Sequence, residues 1–193
     1  MKACGAILFC VLLAACSVLT PRDIGNAHRI QLLPLNASHG RVTQAGSLIV
    51  ALPTATEDLD TYRIALTTSS GLHDYFAGMR WSDFLTHMVQ QTVIESLEQT
   101  HAFAHISSDA QPSRGATLLN LDIQAFGAEY CDDALPPRWR VRVKASYVSA
   151  LDYKVKKEKI IETRVLAKAN TREAVIEAAQ QAFQQALLEM ISL

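Results

Sequence analysis

The body of this sequence has almost no cysteine. Three of the four cysteines, Cys4, Cys10 and Cys16, lie within the first 16 residues, and Cys131 alone lies further along the chain. This shortage excludes an internal disulfide framework and a cysteine-rich metal site in the body of the protein. Cys131 lies in a predicted loop, where we expect a free thiol. An intermolecular disulfide in an oxidising compartment is the alternative.

The sequence also lacks the short motifs that mark common active sites. It contains no G-x-S-x-G, H-E-x-x-H or G-x-G-x-x-G pattern and no Walker loop. His101 and His105 stand four residues apart, but a predicted helix end and strand start between them would separate the two imidazoles. His73-Asp74 has no nucleophile motif beside it, and Asp132-Asp133 is typical of a solvated loop. We therefore expect no enzymatic activity, no metal and no cofactor.

Neither sign of charge is in clear excess. Lys and Arg number 18 and Asp and Glu 19, which gives a formal net charge of -1. Removal of residues 1–15 would take away Lys2 and no acid, leaving 17 bases against 19 acids. Bulk charge therefore favours neither nucleic acid nor an anionic surface as partner, and an electrostatic contact would need local clustering. Nucleic acid is not an expected partner.

The N-terminus has the pattern of a lipoprotein signal peptide. Lys2 precedes an apolar run at residues 6–15, which is short for a membrane span and suits a signal peptide. The run ends in Leu13-Ala14-Ala15-Cys16, which matches the lipobox. Small side chains at this point let the backbone enter the signal peptidase, and the thiol of Cys16 would accept a diacylglyceryl group. An ordinary signal peptide with a chance cysteine is the alternative.

Lipid on Cys16 would anchor the protein to a membrane. Two or three acyl chains such as palmitate, each contributing about 0.8 kcal/mol per buried CH₂, make such an anchor effectively stable. The next residue is Ser17. It favours the periplasmic face of the outer membrane, because an aspartate at this position retains lipoproteins at the inner membrane of enteric-type bacteria. Beyond Cys16 no run of 18 apolar residues predicts a transmembrane helix.

The rest of the chain alternates between strand and helix patterns. Apolar runs and two-residue alternation predict strands at residues 31–35, 47–52, 62–66, 72–76, 102–106, 116–126, 138–152 and 159–168. Gly78 is expected to break the fourth of these. Apolar residues three and four apart predict helices at 82–100 and from 170 to the C-terminus. Ser82 is the predicted N-cap of the first helix, and Asn170 with Glu173 forms a predicted capping box for the second.

This order of elements predicts an α+β fold, in which two helices pack on one face of a mainly antiparallel sheet. The last three strands are expected to form an antiparallel meander. We divide the chain into a signal peptide at 1–15, a lipidated cysteine and tether at 16–29, and a single α+β domain at 30–193.

One predicted strand carries an unusual concentration of positive charge. Arg138, Arg140, Arg142 and Lys144 alternate with apolar residues and therefore share one face of the strand. One interpretation is a solvated sheet face whose charges also oppose edge-to-edge aggregation. The functional interpretation is a docking face for an acidic partner or for lipid head groups.

Several features of the chain recur in one known pattern: the lipobox, an alanine-rich C-terminal helix and the segments Leu32-Leu33-Pro34, 48–52, Tyr62-Arg63-Ile64, His73-Asp74-Tyr75-Phe76 and Arg80-Trp81. In these features the sequence resembles the ABC-type transport auxiliary lipoproteins, the PqiC-like family. The resemblance covers nearly the whole mature chain. The strongly basic meander departs from the family pattern.

The resemblance implies a non-enzymatic auxiliary component of an MCE-type lipid transport system. In such systems an inner-membrane ABC transporter and periplasmic MCE-domain proteins move lipid between membranes, and the lipoprotein docks the assembly at the outer membrane. A homo-oligomer is among the forms that the resemblance implies for the lipoprotein. Tyr75, Arg80 and Trp81 match the family motif and are candidate partner-binding residues, together with the basic strand face. The alternative for these three is a structural role at a strand–helix junction. The alternative function is an adaptor lipoprotein of lipopolysaccharide assembly or secretion.

Overall fold

The computed structural model describes residues 27–35, 44–101, 103–108 and 115–193. The predicted signal peptide, Cys16 and the tether up to residue 26 lie outside the described residues. The described part forms nine strands and two helices. The strands are β1 (His28–Ile30), β2 (Gln44–Val50), β3 (Thr54–Ala55), β4 (Arg63–Thr67), β5 (His73–Trp81), β6 (Phe103–Ser107), β7 (Thr117–Glu129), β8 (Arg138–Ser149) and β9 (Val155–Leu166). The helices are α1 (Leu85–Gln99) and α2 (Arg172–Ile191).

All nine described strands belong to one mixed sheet with β7 at its centre. One edge of β7 pairs antiparallel with β8, which pairs antiparallel with β9. The other edge of β7 pairs in parallel with β2, β3 and β4 in succession. Strand β5 then pairs antiparallel with β4 and parallel with β1, and β6 pairs in parallel with β2. The predicted α+β class and the final meander are confirmed, whereas the parallel pairings add to what the sequence predicted.

Both helices bury their apolar side chains in the same core on one face of the sheet. The centre of that core is a group of four aromatic side chains that are at most 2% exposed: Trp81, Phe126, Trp139 and Phe183. Neighbouring rings meet edge to face with centroids 5.7–5.9 Å apart. This is a favoured arrangement for aromatic rings, because the positive edge of one ring approaches the negative face of the next. The aromatic group thus joins β5, β7, β8 and α2.

The segment that follows β1 is held by side chains of both helices. The amide of Gln180 in α2 accepts from the Leu33 N–H at 3.0 Å and donates to the Gln31 carbonyl at 2.7 Å. The Ser96 hydroxyl in α1 accepts from the Leu35 N–H at 3.1 Å. The strand predicted at 31–35 is therefore wrong, because the backbone of this segment bonds to helix side chains instead of to a neighbouring strand.

Both predicted helix caps are also wrong. Helix α1 begins after Phe84, which has no capping side chain, and the first turn is instead capped from a distance by Asp60. The Asp60 carboxylate accepts from the N–H and the hydroxyl of Thr86 at 3.3 and 2.8 Å. Helix α2 begins after Thr171, whose hydroxyl accepts from the Ala174 N–H.

We call the hydrogen bonds from Gln180 and Ser96 to the segment after β1 the clamp. Replacement of Gln180 by alanine tests it. Gln180→Ala should lower the free energy of unfolding by about 1–2 kcal/mol, because two backbone groups lose their partners. Urea denaturation measures this change. Gln181→Ala is the matched control, since that amide bonds only to the exposed Glu177; it should change stability by less than about 0.5 kcal/mol. Equal effects of the two substitutions would show that the clamp does not contribute.

Candidate functional site

The sheet face opposite the helices carries the charged side chains of the three longest strands. Along β8, buried Trp139, Val141 and Val143 point toward the helices, and Arg140 and Arg142 point away from them. The predicted alternation of this strand is confirmed. The outward side chains of β7 and β9 complete a surface that we call the charged ladder: Asp122, Glu129, Arg138, Arg140, Arg142, Lys144, Glu158, Glu162 and Arg164.

Glutamates on the neighbouring strands pair with most of the basic residues in the charged ladder. Arg140 donates to Glu129 and to Glu162, each at 2.9 Å. Glu162 also accepts from Arg142 and, at 2.6 Å, from Arg164. These side chains are between one fifth and one half exposed, so their ion pairs form in a partly desolvated setting. The glutamates of this network lie between the arginines and reduce their mutual repulsion.

Ion pairing also shifts the pKa values of the ladder. Desolvation disfavours the charged form of Glu162, but the hydrogen bond from Arg142 and the charges of Arg140 and Arg164 outweigh it and lower its pKa. Hydrogen bonds from Ser146 and Lys144 lower the pKa of Glu158. Desolvation opposes the charge on Arg140, whose pKa is nevertheless raised, chiefly by its contact with Glu129.

The ladder therefore differs from the purely basic face that β8 suggests by itself. It contains five cations and four carboxylates. The acidic members of the ladder could not be predicted from the sequence of β8, because they belong to β7 and β9. They meet β8 only through strand pairing, in which Arg142 lies opposite Glu162. Arg138 is exposed and forms no ion pair with any residue that the structure describes. Among the four predicted basic residues it is the one left free for another charge.

The residues of the predicted Tyr75, Arg80 and Trp81 motif lie on two faces of the sheet. Trp81 is 2% exposed and belongs to the aromatic core. Arg80, its neighbour in β5, points to the opposite face and is partly exposed. The buried position of Trp81 favours the structural alternative for this residue, because its ring touches the core instead of the surface. Tyr75 and Arg80 remain accessible on the outward face.

A bulge in β5 brings Tyr75 and Arg80 to the same side. Arg63 of β4 is in register with Arg80, and Ala65 of β4 is in register with Tyr75. The two β4 residues are two positions apart, whereas their partners in β5 are five positions apart. Strand β5 therefore contains extra residues between the two pairs. Within the bulge Gly78 has a φ of 72°, a conformation that other residues adopt only with strain. Gly78 thus bends the strand instead of ending it as predicted. The Arg63 guanidinium lies 3.6 Å from the centre of the Tyr75 ring in a cation–π contact.

Three arginines lie side by side on this outward face, on adjacent strands. Arg29 of β1 is in register with Arg80 of β5, and Arg80 is in register with Arg63 of β4. We call these three the arginine row. None of the three lies within 4.0 Å of a carboxylate oxygen in the part of the chain that the structure describes. Arg29 and Arg63 were not among the residues predicted for a site, because they are far apart in the chain and meet only through strand pairing.

A cavity of about 170 Å³ separates the arginine row from the charged ladder. Tyr75 and His73 line it on the β5 side, and Glu129 and Arg140 line it on the ladder side. Gly127 also lines the cavity, and it contributes only backbone. A Cβ added to Gly127 would lie 2.6 Å from the Ala65 carbonyl oxygen. The lack of a side chain at this position allows β4 to pair closely with β7.

The two histidines that could have formed a metal site, His101 and His105, do not belong to such a cluster in the described residues. His101 lies exposed after α1, with a φ of 50°, and His105 lies exposed on β6. The described part of the chain contains no group of three or more His, Cys, Asp or Glu side chains placed to hold a metal. Cys131 is exposed and unpaired there.

Comparison with known proteins assigns the chain to a family. Residues 31–191 match the model of the family described as the ABC-type transport auxiliary lipoprotein component. The chain belongs to this family. Membership confirms the resemblance found in the sequence, and it makes the chain an auxiliary component of an ABC-type transport system and a membrane-anchored lipoprotein of the cell envelope. In the described residues neither helix is long and apolar enough to cross a membrane.

Solved structures share the fold of this family member. A crystal structure of a Xanthomonas campestris protein has a TM-score of 0.70 and 21% sequence identity, over 86% of this chain and 91% of that one. A crystal structure of an uncharacterized protein has a TM-score of 0.67 and 12% identity, over 86% and 97% of the two chains. No curated protein sequence matches the chain. At these identities the similarity shows the fold alone.

The depressed pKa of Glu162 predicts a loss of stability in acid. A carboxyl whose pKa is lowered in the folded state stabilises that state above its unfolded pKa, near 4.3, and this contribution disappears as the pH falls through the lower folded pKa. Glu162→Gln should cost about 1 kcal/mol or less at pH 7, and the cost should be smaller at pH 2. Urea denaturation across this range measures both values. A Glu162→Gln variant with the same deficit at both pH values would contradict the ion-pair account.

Alanine at position 78 tests the bulge. Gly78→Ala should lower the free energy of unfolding by about 1–2 kcal/mol, because a Cβ is strained at this φ. It should also weaken the contact between Arg63 and Tyr75, which the chemical shifts of the Tyr75 ring report. Ala77→Ser, at the exposed neighbouring position, is the control and should leave both readouts near wild type. A stable Gly78→Ala protein with an unchanged Tyr75 spectrum would show that glycine is not required here.

Proposed function

We propose that this chain is a non-enzymatic auxiliary component of an ABC/MCE-type intermembrane lipid transport system, which docks the periplasmic assembly at the outer membrane. The observation that carries the proposal is the family match over residues 31–191. The described residues support it, because they offer an extended outward sheet face with charged side chains. Such a face suits the binding of another protein.

The proposed anchor is Cys16. Cleavage after residue 15 would leave Cys16 at the new N-terminus, where acyl chains such as palmitate attach, and Ser17 favours the outer membrane. Residues 16–26 would link the lipid to β1. The domain would then hang from the membrane by a short tether, with its sheet facing the periplasmic assembly.

The proposed protein-docking surface is the β8 side of the outward face. Arg138 is free there to meet an acidic group, and the ion pairs of Arg140, Arg142 and Lys144 hold these side chains in defined positions. Side chains that are already ordered lose less entropy when a partner binds. Tyr75 and Arg80 are available on the other half of the same face, and Trp81 supports them from the core.

Crosslinking in cells tests this function. The lipidated protein, isolated from gently crosslinked membranes, should carry an MCE-domain protein that mass spectrometry identifies. Metabolic labelling with a palmitate analogue should mark the wild type and fail to mark Cys16→Ser. Recovery of lipopolysaccharide-assembly or secretion components without an MCE protein would favour the adaptor function and contradict the proposal.

Charge reversal tests the docking surface. Arg138→Glu should reduce the yield of crosslinked MCE protein several-fold, because a like charge would then face the acidic group of the partner. Arg172→Glu is the matched control, since Arg172 is an exposed arginine at the start of α2, on the helix side of the domain. Equal yields from the two variants would exclude Arg138 from the interface.

A further inference from the structure

The arginine row opposes the stability of the sheet that contains it. Like charges directly opposite one another on neighbouring strands are destabilising. Arg80 has such a neighbour on both sides, Arg29 in β1 and Arg63 in β4. The charged ladder places glutamates among its arginines, whereas the row has no ion-pair partner among the residues that the structure describes. Apart from the cation–π contact of Arg63 with Tyr75, the described residues offer these three adjacent guanidinium groups nothing that offsets their repulsion.

A neighbouring aromatic ring holds one member of the row in place. The Tyr75 ring lies under the guanidinium of Arg63, and the Tyr75 hydroxyl donates to the Asp58 carbonyl at 3.1 Å. Arg63 is thus held on the outward face, in register with Arg80. A side chain that is already ordered loses less entropy when a ligand binds.

The row also lies where the tether enters the domain. Arg29 belongs to the first strand and stands 13 residues after Cys16, a stretch that spans at most about 45 Å when fully extended. We propose that the arginine row binds the phosphodiester groups of anionic phospholipid in the membrane that holds the anchor. This inference rests on the proposed function, because lipid on Cys16 is what brings the row to that membrane.

The chemistry of the guanidinium suits this ligand. Arginine stays charged at every physiological pH and donates two parallel hydrogen bonds to a phosphate. Neighbouring strands lie about 4.8 Å apart, so the three groups can each take a different lipid phosphate or share one. Binding would turn the β1 edge of the sheet toward the membrane. The charged ladder, at the opposite edge, would then remain open to the periplasmic partner.

Vesicle sedimentation tests the inference without the anchor. The probe is the mature chain, residues 16–193, carrying Cys16→Ser; every described element begins at His28 or later, so this chain retains all of them. It should bind vesicles that contain phosphatidylglycerol and phosphatidylcholine more tightly than vesicles of phosphatidylcholine alone. The triple variant Arg29→Gln, Arg63→Gln, Arg80→Gln should lose about 100-fold in affinity, at about fivefold for each arginine near an anionic surface.

A second triple variant tests whether the position of the three charges matters and not only the total charge of the protein. Lys154→Gln, Lys156→Gln, Arg172→Gln removes three exposed positive charges elsewhere and should stay within a few-fold of wild type. The row variant should melt close to wild type, because relief of like-charge repulsion offsets the loss of the contact between Arg63 and Tyr75. An unchanged melting temperature would show that a loss of vesicle binding does not result from unfolding.

Other outcomes would overturn the inference. Equal binding to both kinds of vesicle, or an equal loss in the two triple variants, excludes the row as a headgroup site. Loss of the crosslinked MCE protein on substitution of the row, without any vesicle binding, would show instead that the row recognises carboxylates of that protein. Because the probe carries no acyl group, failure to bind vesicles would leave the proposed function standing. Vesicle binding without an MCE partner in cells would refute that function alone.

Discussion

Strand β7 hydrogen-bonds along both of its edges, and the arrangement of the whole sheet depends on this. One edge takes β8 along its whole length, and the other takes β2, β3 and β4 one after another. Gly127 makes the last of these pairings possible, because β4 approaches more closely than a side chain there would allow. The two halves of the outward face, the arginine row and the charged ladder, are thereby fixed at a set distance across one continuous sheet.

Much of this architecture can be read from local patterns. The alternation of β8 gave the correct inward and outward residues, and the spacing of apolar residues located both helices to within a few positions. The errors fall where distant parts of the chain replace a local interaction. Asp60 caps α1 in place of Ser82, and Gln180 bonds to the backbone that a neighbouring strand would otherwise pair. Local sequence cannot predict such contacts, because each partner lies far away in the chain.

The candidate site also depends on contacts between distant parts of the chain, which local sequence does not predict. Arg138 to Lys144 are visible as a basic strand face, but the glutamates that neutralise most of it lie in β7 and β9. Tyr75 and Arg80 are five residues apart and would face opposite sides in a regular strand. The bulge at Gly78 brings them together, and strand pairing then adds Arg29 and Arg63. The charge pattern of this surface is therefore a property of register, and it emerges only after the sheet has formed.

The clamp on the segment after β1 has a mechanical consequence. Under the proposed anchoring, any pull between membrane and periplasmic assembly enters the domain through the tether and reaches β1 first. Strand β1 runs parallel to β5, and the segment behind it is gripped by Gln180 of α2 and Ser96 of α1. A pull directed along the axis of β1 would strain the hydrogen bonds of β1 and those of Gln180 and Ser96 together, instead of opening them one at a time. Under such a pull the load would be shared between the sheet and both helices.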